Sequence, residues 1–328
     1  VKLLVILLTV GLGICGSVLV YFLLDLVASR LPARWRSRLQ PFVFIGPVVI
    51  IMAAFQIYPT VKTLYLSVFV TSGSDGVFVG LQNYRDLFTQ ASFLDVLFNN
   101  LLWLLVVPRS TVLLGLAVAA LAQRVSPLLE RGVKALVFMP MAISFIAAAT
   151  IWRFIYAYSP PGQPQVGLLN SLWVRATGNP PQAWLTIDSG HLNSLLLMVV
   201  VIWLNAGFAM VLLSAAIKGV PEDTVEQATL DGATDRQTFW YIVVPQIRTT
   251  IVAVLVTVLI TVMKIFDIVF AMTGGAYNTS VLGFEFINQF FTFGNPGRAS
   301  AVVTVLVLAV IPLVFYQVRA YRQQELLR

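Results

Sequence analysis

The residues of this chain best equipped for chemistry are few, and several lie where charge is costly. Lys264 and Asp267 stand three apart in one apolar run, Arg109 stands mid-run beside Pro108, and His191 is the single histidine. An ionisable side chain at mid-membrane costs about 2.5 to 3.5 kcal/mol on the insertion scale, so each needs a partner or a water-lined role. Lys264 and Asp267 on one helix face would neutralise each other, either as a structural ion pair between helices or as groups on a substrate path. Arg109 admits three readings: it faces a water-filled cavity, pairs with an acid on another subunit, or marks a span whose boundaries are shifted from 97–121. His191 has no second histidine and no cysteine nearby, which leaves a zinc site or a catalytic triad without its other members. GxSxG, HExxH and GxxxxGK[ST] stretches are all missing, and Lys218-Gly219 runs in the wrong order for a phosphate-binding loop. The chain is therefore not expected to be an enzyme or to hydrolyse ATP itself.

Groups suited to binding are more plentiful. Trp152, Arg153 and Tyr156, then Trp203 and Asn205, combine flat aromatic faces with amide and charged donors. That mix recognises the C–H faces and hydroxyls of sugars. Trp152 and Tyr156 equally suit an aromatic belt at a membrane interface, whereas Trp203 and Asn205 lie nearer the middle of their run. A third set is acidic: Glu222, Asp223 and the stretch VEQATLDGATDRQTFWYIVVPQ at 225–246 hold five of the 14 acidic residues.

These residues sit in a chain of 328, of which 59% are hydrophobic and 11% charged, where a soluble domain carries about 25% charged residues. The mean hydropathy is +0.88, which marks an integral membrane protein. One cysteine, Cys15, excludes a disulfide framework. The net charge of +7 comes from arginines in short loops, a topology signal and not a nucleic-acid surface. Seven apolar runs reach the length of about 20 residues needed to cross a bilayer: 3–28, 42–66, 97–121, 133–157, 193–217, 249–272 and 299–318. The first is too long for a signal-peptide core and is expected to remain as a span. A closed barrel would need short alternating segments, so the fold class is all-α, a polytopic transmembrane helical bundle of about seven spans.

Orientation follows from the basic residues. Arg30, Arg34, Arg36, Arg38, Arg124, Arg131, Lys134, Lys218, Arg236, Arg248, Arg319, Arg322 and Arg328 fall on one side, against six on the other. The positive-inside rule then places the 225–246 stretch and the C-terminus in the cytoplasm and the N-terminus outside. Connections 67–96 and 158–192 lie outside, and their Gly, Pro, Asn and aromatic content reads as small capped folds or short interfacial helices. Residues 1–41 form an additional N-terminal span and basic linker, and 42–328 the main transmembrane domain with its long cytoplasmic loop at 218–248.

That loop is far longer than the usual connection of about 2 to 8 residues. Pro221 followed by Glu222 and Asp223 starts a short helix, with the acids at the positive end of its dipole. Asp231-Gly232 supplies a stop, Thr234 with Gln237 a capping box for a second helix, and Pro245 a bend before the next span. Val225, Ala228 and Gly232 share a face of small residues beside Glu226, suited to close approach by another surface. A solvated loop would be polar too, but the stacked cap, stop and cap point to a docking element.

Glu226, Gln227, Ala228, then Gly232, Ile242 and Val244-Pro245 resemble, at every fixed spacing, the signature loop of permease subunits in bacterial ATP-binding-cassette importers. That signature reads Glu-Ala-Ala, three residues, Gly, nine residues, Ile, one residue, Leu-Pro; Gln227 and Val244 depart from it. VGLQNYRDLF at 79–88, MPMAISFIAAATIWRF at 139–154, GLLN at 167–170 and MKIFDIVFAMTGGAYNTSV at 263–281 are similar to the carbohydrate branch, the maltose and α-glucoside type. The resemblance implies a type I importer permease core in the bacterial plasma membrane, working with a second permease chain, two ATPases that bind ATP and Mg, and an extracytoplasmic sugar-binding protein. No cofactor or metal is implied for this chain. It also implies that Glu226 pairs with a basic group on the ATPase, that Leu230 and Asp231 flank a turn made possible by Gly232, and that the loop couples ATPase closure to the spans. An ion-coupled secondary transporter built on Asp267 and Lys264 is the alternative, and it leaves the ordered loop unexplained.

Overall fold

The computed structural model describes residues 33–72 and 75–325, with scattered positions between 11 and 29. Helix dominates because apolar runs in hydrocarbon must satisfy their backbone groups internally. Two compact units are present, Val1–Tyr65 and Leu66–Arg328. In the first, α1 (Ala33–Met52) passes through a π-type turn at Ala53–Ile57 into α2 (Tyr58–Leu66). Pro59 has no N–H to offer the Phe55 carbonyl, and the wider turn absorbs that missing bond.

The second unit opens with an antiparallel hairpin, β1 (Phe69–Ser72) and β2 (Asp75–Phe78), followed by α3 (Gln82–Phe88). The buried Asn83 amide donates to the Ser67 and Phe69 carbonyls, at 2.9 Å each, and Arg298 pairs with Asp86 at 3.0 Å. The VGLQNYRDLF stretch is thus a turn and a short helix without a side-chain cap, tied through Asp86 to the last long helix of the chain.

The core forms where α4 (Ala91–Ala122) runs along α8 (Leu192–Lys218), the helix that follows the short α7 (Leu168–Thr177) of connection 158–192. A Cβ on Gly115 would stand 2.6 Å from the Ala209 Cβ, so the glycine lets the two backbones approach. Gly207 does the same for α5 (Pro127–Phe138), leaving room for the Phe138 Cα. Trp103, Val107, Leu197, Met198 and Met210 fill this seam, joined by Val254 and Val258 of α12 (Arg248–Met263).

Not all of the seven expected spans are single helices. Run 3–28 lies largely outside the described residues. Among the described residues, three helices are individually long and apolar enough to cross a membrane: Phe42–Leu66, Ala91–Ala122 and Ser189–Lys218. Run 133–157 is instead a pair, Pro127–Ala142 and Phe145–Ile155, bent by 107°. Pro140 lies in a tight 3-10 turn ahead of the bend, and the Ser144 hydroxyl caps α6 (Phe145–Ile155) by accepting from the Ala147 N–H. Run 249–272 is likewise split, because α12 ends at Met263 and α13 (Asp267–Met272) starts afresh after Phe266 at φ −143°, ψ −51°. Lys264 and Asp267 therefore do not share a continuous helix face, which corrects that expectation. The ion pairs among the described residues lie elsewhere. α14 (Leu282–Ile287) leads into α15 (Pro296–Glu325), which contains run 299–318 and carries Pro312 within it.

Candidate functional site

The long loop folds from its own local signals. Pro221 stands at the N-cap of α9 (Glu222–Leu230), one position ahead of where the sequence suggested, with Glu222 and Asp223 in the first turn. Gly232 ends the helix at φ +85°, in the left-handed region that only glycine enters freely. The Ala233 N–H reaches back to the Ala228 carbonyl at 3.0 Å and the Gly232 N–H to Thr229 at 3.1 Å. These are the two bonds of a Schellman cap. Thr234 and Gln237 then form a reciprocal capping box at the start of α10 (Asp235–Thr238). A π-type turn at Phe239–Val243 and the short α11 (Val244–Gln246) follow, and a 68° bend separates this segment from α12. Pro245 accounts for the π-type turn, since it withholds an N–H from the Tyr241 carbonyl.

Two consequences shape the surface of the loop. Ala228 is buried and Val225 half-buried, so of the small-residue face that the sequence suggested only Gly232 stands fully open to another surface. Outward stand Glu226, Gln227, Asp231 and Gly232, with Leu230 an apolar knob that is 86% exposed. Ile242 is half-buried, while Pro245 is exposed. Behind α9, a cleft of about 1080 Å³ opens between the loop and the ends of α4 and α8, with Arg124, Lys218, Glu222, Glu226, Asp235 and Arg236 among its lining groups.

A three-way ion cluster ties the loop to the bent pair. The Glu130 carboxylate of α5 accepts from Lys134 at 2.6 Å and from Lys218, the last residue of α8, also at 2.6 Å. Lys134 makes a further short bond to the Ser214 hydroxyl. Glu130 lies ahead of the apolar run 133–157, and its hydrogen bonds to the Lys134 and Lys218 ammonium groups hold its carboxyl down to about 2. Sequence reading missed this cluster, although Glu130 and Lys134 stand at the i,i+4 spacing of a helix pair.

The aromatic candidates come together in part. Trp152 lies edge to face with Trp203 at 5.8 Å between ring centroids, and tilted against Tyr156 at 5.3 Å. Tyr156 is buried and donates its hydroxyl to the Leu196 carbonyl at 3.1 Å, so it serves packing. Asn205 donates to Val201 in its own helix at 2.8 Å, and two residues on from Trp203 it faces the opposite side of α8. Arg153 reaches the Ala271 carbonyl at 3.3 Å. Lys264 is exposed and Asp267 half-buried, at the two sides of the break. His191 adopts φ +56° with its ring 5.0 Å from that of Phe98.

Two buried asparagines that sequence reading passed over hold the TGGAYNTSV segment. Asn99 donates to the carbonyls of Asn278 at 2.6 Å and Ser280 at 3.0 Å, and Asn193 to Tyr277 at 2.6 Å. An amide inside an apolar run was the available signal. Asn99→Leu would leave both carbonyls unpaired at a cost of roughly 1 to 3 kcal/mol. Thermal unfolding of the purified protein should show a drop of several degrees.

The comparisons agree with this arrangement. The family model described as binding-protein-dependent transport system inner membrane component matches residues 111–325. The chain is 43% identical over 285 residues to the osmoprotective compounds uptake permease protein GgtC of Synechocystis sp., covering 87% of this chain and all of that one. It is also 43% identical over 294 residues to the alpha-glucoside transport system permease protein AglF of Rhizobium meliloti, covering 89% and 85%. Among solved structures, a bacterial alginate ABC transporter in complex with alginate pentasaccharide-bound periplasmic protein superposes with a TM-score of 0.72 at 21% identity, over 88% of this chain and 95% of that one. At that identity the likeness speaks for the fold. With its bent helix pairs, its doubly capped loop and a family match over most of its length, the chain belongs to the inner-membrane permease components of binding-protein-dependent transport systems.

Proposed function

We propose that this chain is one of two permease subunits forming the pathway of an ATP-driven importer for an α-glucoside or a related oligosaccharide. It lies in the bacterial inner membrane with the N-terminus outside and the loop and C-terminus in the cytoplasm. Two ATPase subunits bind ATP and Mg below, and a sugar-binding protein docks outside. The observation that carries this reading is the doubly capped loop, whose exposed face of Glu226, Gln227, Leu230 and Asp231 is rigidly presented yet uncovered. A rigid knob beside charged groups suits docking in a groove, where apolar contact supplies affinity and charge sets orientation.

The sugar assignment is supported by the relatives, one an alpha-glucoside permease and one a permease for osmoprotective compounds. A path through the membrane is supported by α12 and its C-cap, where Thr257, Thr261 and the capping Lys264 follow one another three or four residues apart with Thr257 and Lys264 exposed. Both threonine hydroxyls bond carbonyls four residues back, at 2.9 and 3.1 Å, yet keep an acceptor free. Asp267 and the Trp152–Trp203 pair extend that candidate path, and Tyr156 and Asn205 support it from behind.

Proteoliposomes carrying this chain, its companion permease, the ATPase and the binding protein test the function. Maltose, trehalose or glucosylglycerol uptake should require both ATP and the binding protein. Uptake by this chain alone under an ion gradient would establish the secondary transporter instead.

A further inference from the structure

Arg109 takes no part in the loop, the core or the polar stripe of α12. It stands on a ridge of α4 made by Leu101, Leu105, Arg109 and Leu113, four residues apart and all exposed. The opposite face, with Trp103, Val107, Thr111 and Gly115, is buried in the core. Rows of side chains at this spacing are the ridges that pack into the grooves of another helix. The guanidinium carries five donors. Among the described residues its one hydrogen bond is a long one, 3.4 Å from Nη1 to the Leu105 carbonyl of its own helix, and it is in none of the ion pairs there.

We propose that this ridge is an interface with the second permease chain and that Arg109 pairs there with a carboxylate inside the partner's membrane-spanning region. The inference rests on the two-permease reading above. Three alternatives are weaker on physical grounds. A water-lined path would be polar along its length, as the Thr257–Thr261–Lys264 stripe is, whereas Arg109 is flanked by leucines. Lipid phosphates are distant, because at a rise of 1.5 Å per residue Arg109 stands about 20 Å along the helix from both Asp95 and the end at Ala122. Within the first 65 residues the one acid is Asp25, close to the basic linker that starts at Arg30 and so near the membrane boundary. A polar group set in an apolar ridge selects its partner, since only a complementary group satisfies it in hydrocarbon.

The test is recovery of the companion permease with an affinity-tagged form of this chain when both are expressed together. Arg109→Leu removes a costly group from a span, so insertion of the single chain should be undiminished. Recovery of the companion should nonetheless fall tenfold or more, while Arg109→Lys retains most of it and Asp25→Asn leaves it unchanged. Wild-type recovery with Arg109→Leu would overturn the proposal, as would the same loss with Asp25→Asn, which would place the carboxylate in this chain. If the unaltered chain recovers no second permease, the two-permease reading fails and this inference with it.

Discussion

Gly232→Val is expected to lower substrate-stimulated ATPase activity and sugar uptake by at least tenfold in the assembled complex, with the protein still folded and inserted. A Cβ at this position would meet no atom within 4 Å, so the chain itself has room for a side chain. The obstacle is the backbone, held at φ +85° by the Schellman cap. An L residue there costs roughly 1 to 2 kcal/mol, and a β-branched one is a genuine outlier. Relief of that strain opens the cap and turns α9, with Leu230 and Asp231 at its end, away from the docking geometry. The series is therefore ordered by backbone tolerance: Gly232→Asn should retain most activity, Gly232→Ala less and Gly232→Val least. An order that followed side-chain volume alone would point to a steric contact with the partner. Normal activity in all three would exclude a coupling role for the turn.

Glu130→Gln is expected to uncouple the complex, with uptake down about tenfold while basal ATPase activity persists. Glu130 joins Lys218, where α8 enters the loop, to Lys134 on α5, and α5 continues through the 107° bend to α6 and Trp152. On the proposed function, a push on the loop would reach the aromatic pair through one carboxylate. The neutral amide leaves two ammonium groups without their shared counter-charge, and the link slackens. Glu130→Asp should restore part of the uptake, since it keeps the charge.

The pH dependence of that cluster has a definite sign. Lysine hydrogen bonds lower the folded-state value of Glu130 from 4.5 to about 2. Its contribution is fully present above about pH 4.5 and is lost as pH falls toward 2. The difference in thermal midpoint between wild type and Glu130→Gln should therefore be constant from about pH 5 to 8 and shrink in the acid range. A difference that changed between about pH 6 and 8 would implicate a different titrating group.

What could be read from residues alone was what neighbouring residues decide. Pro221, Asp231-Gly232 and the Thr234–Gln237 box each act within one helical turn, and the helix, cap and box all form there. Hydropathy located the apolar runs but not their continuity, because a run stays apolar across a break. The break at Ser144 carries local marks, Pro140 and a serine cap, that hydropathy does not weigh, whereas the break at Phe266 has no side-chain cap to announce it. Ala228 shows the same limit: smallness predicts a close approach but not which side makes it. Asn99 and Asn193 find their acceptors in a loop some 80 to 180 positions away, beyond the reach of any spacing rule.

Photo-crosslinking from Leu230 tests the central claim most directly. A benzophenone-bearing residue there, in the assembled and transport-competent complex, should capture the ATPase subunit, with capture changing when ATP is added. The exposed Leu128, on α5, is the control position and should capture the ATPase far less. A complex that transports sugar while position 230 captures no ATPase would contradict the loop as the site where ATP-driven motion enters this chain.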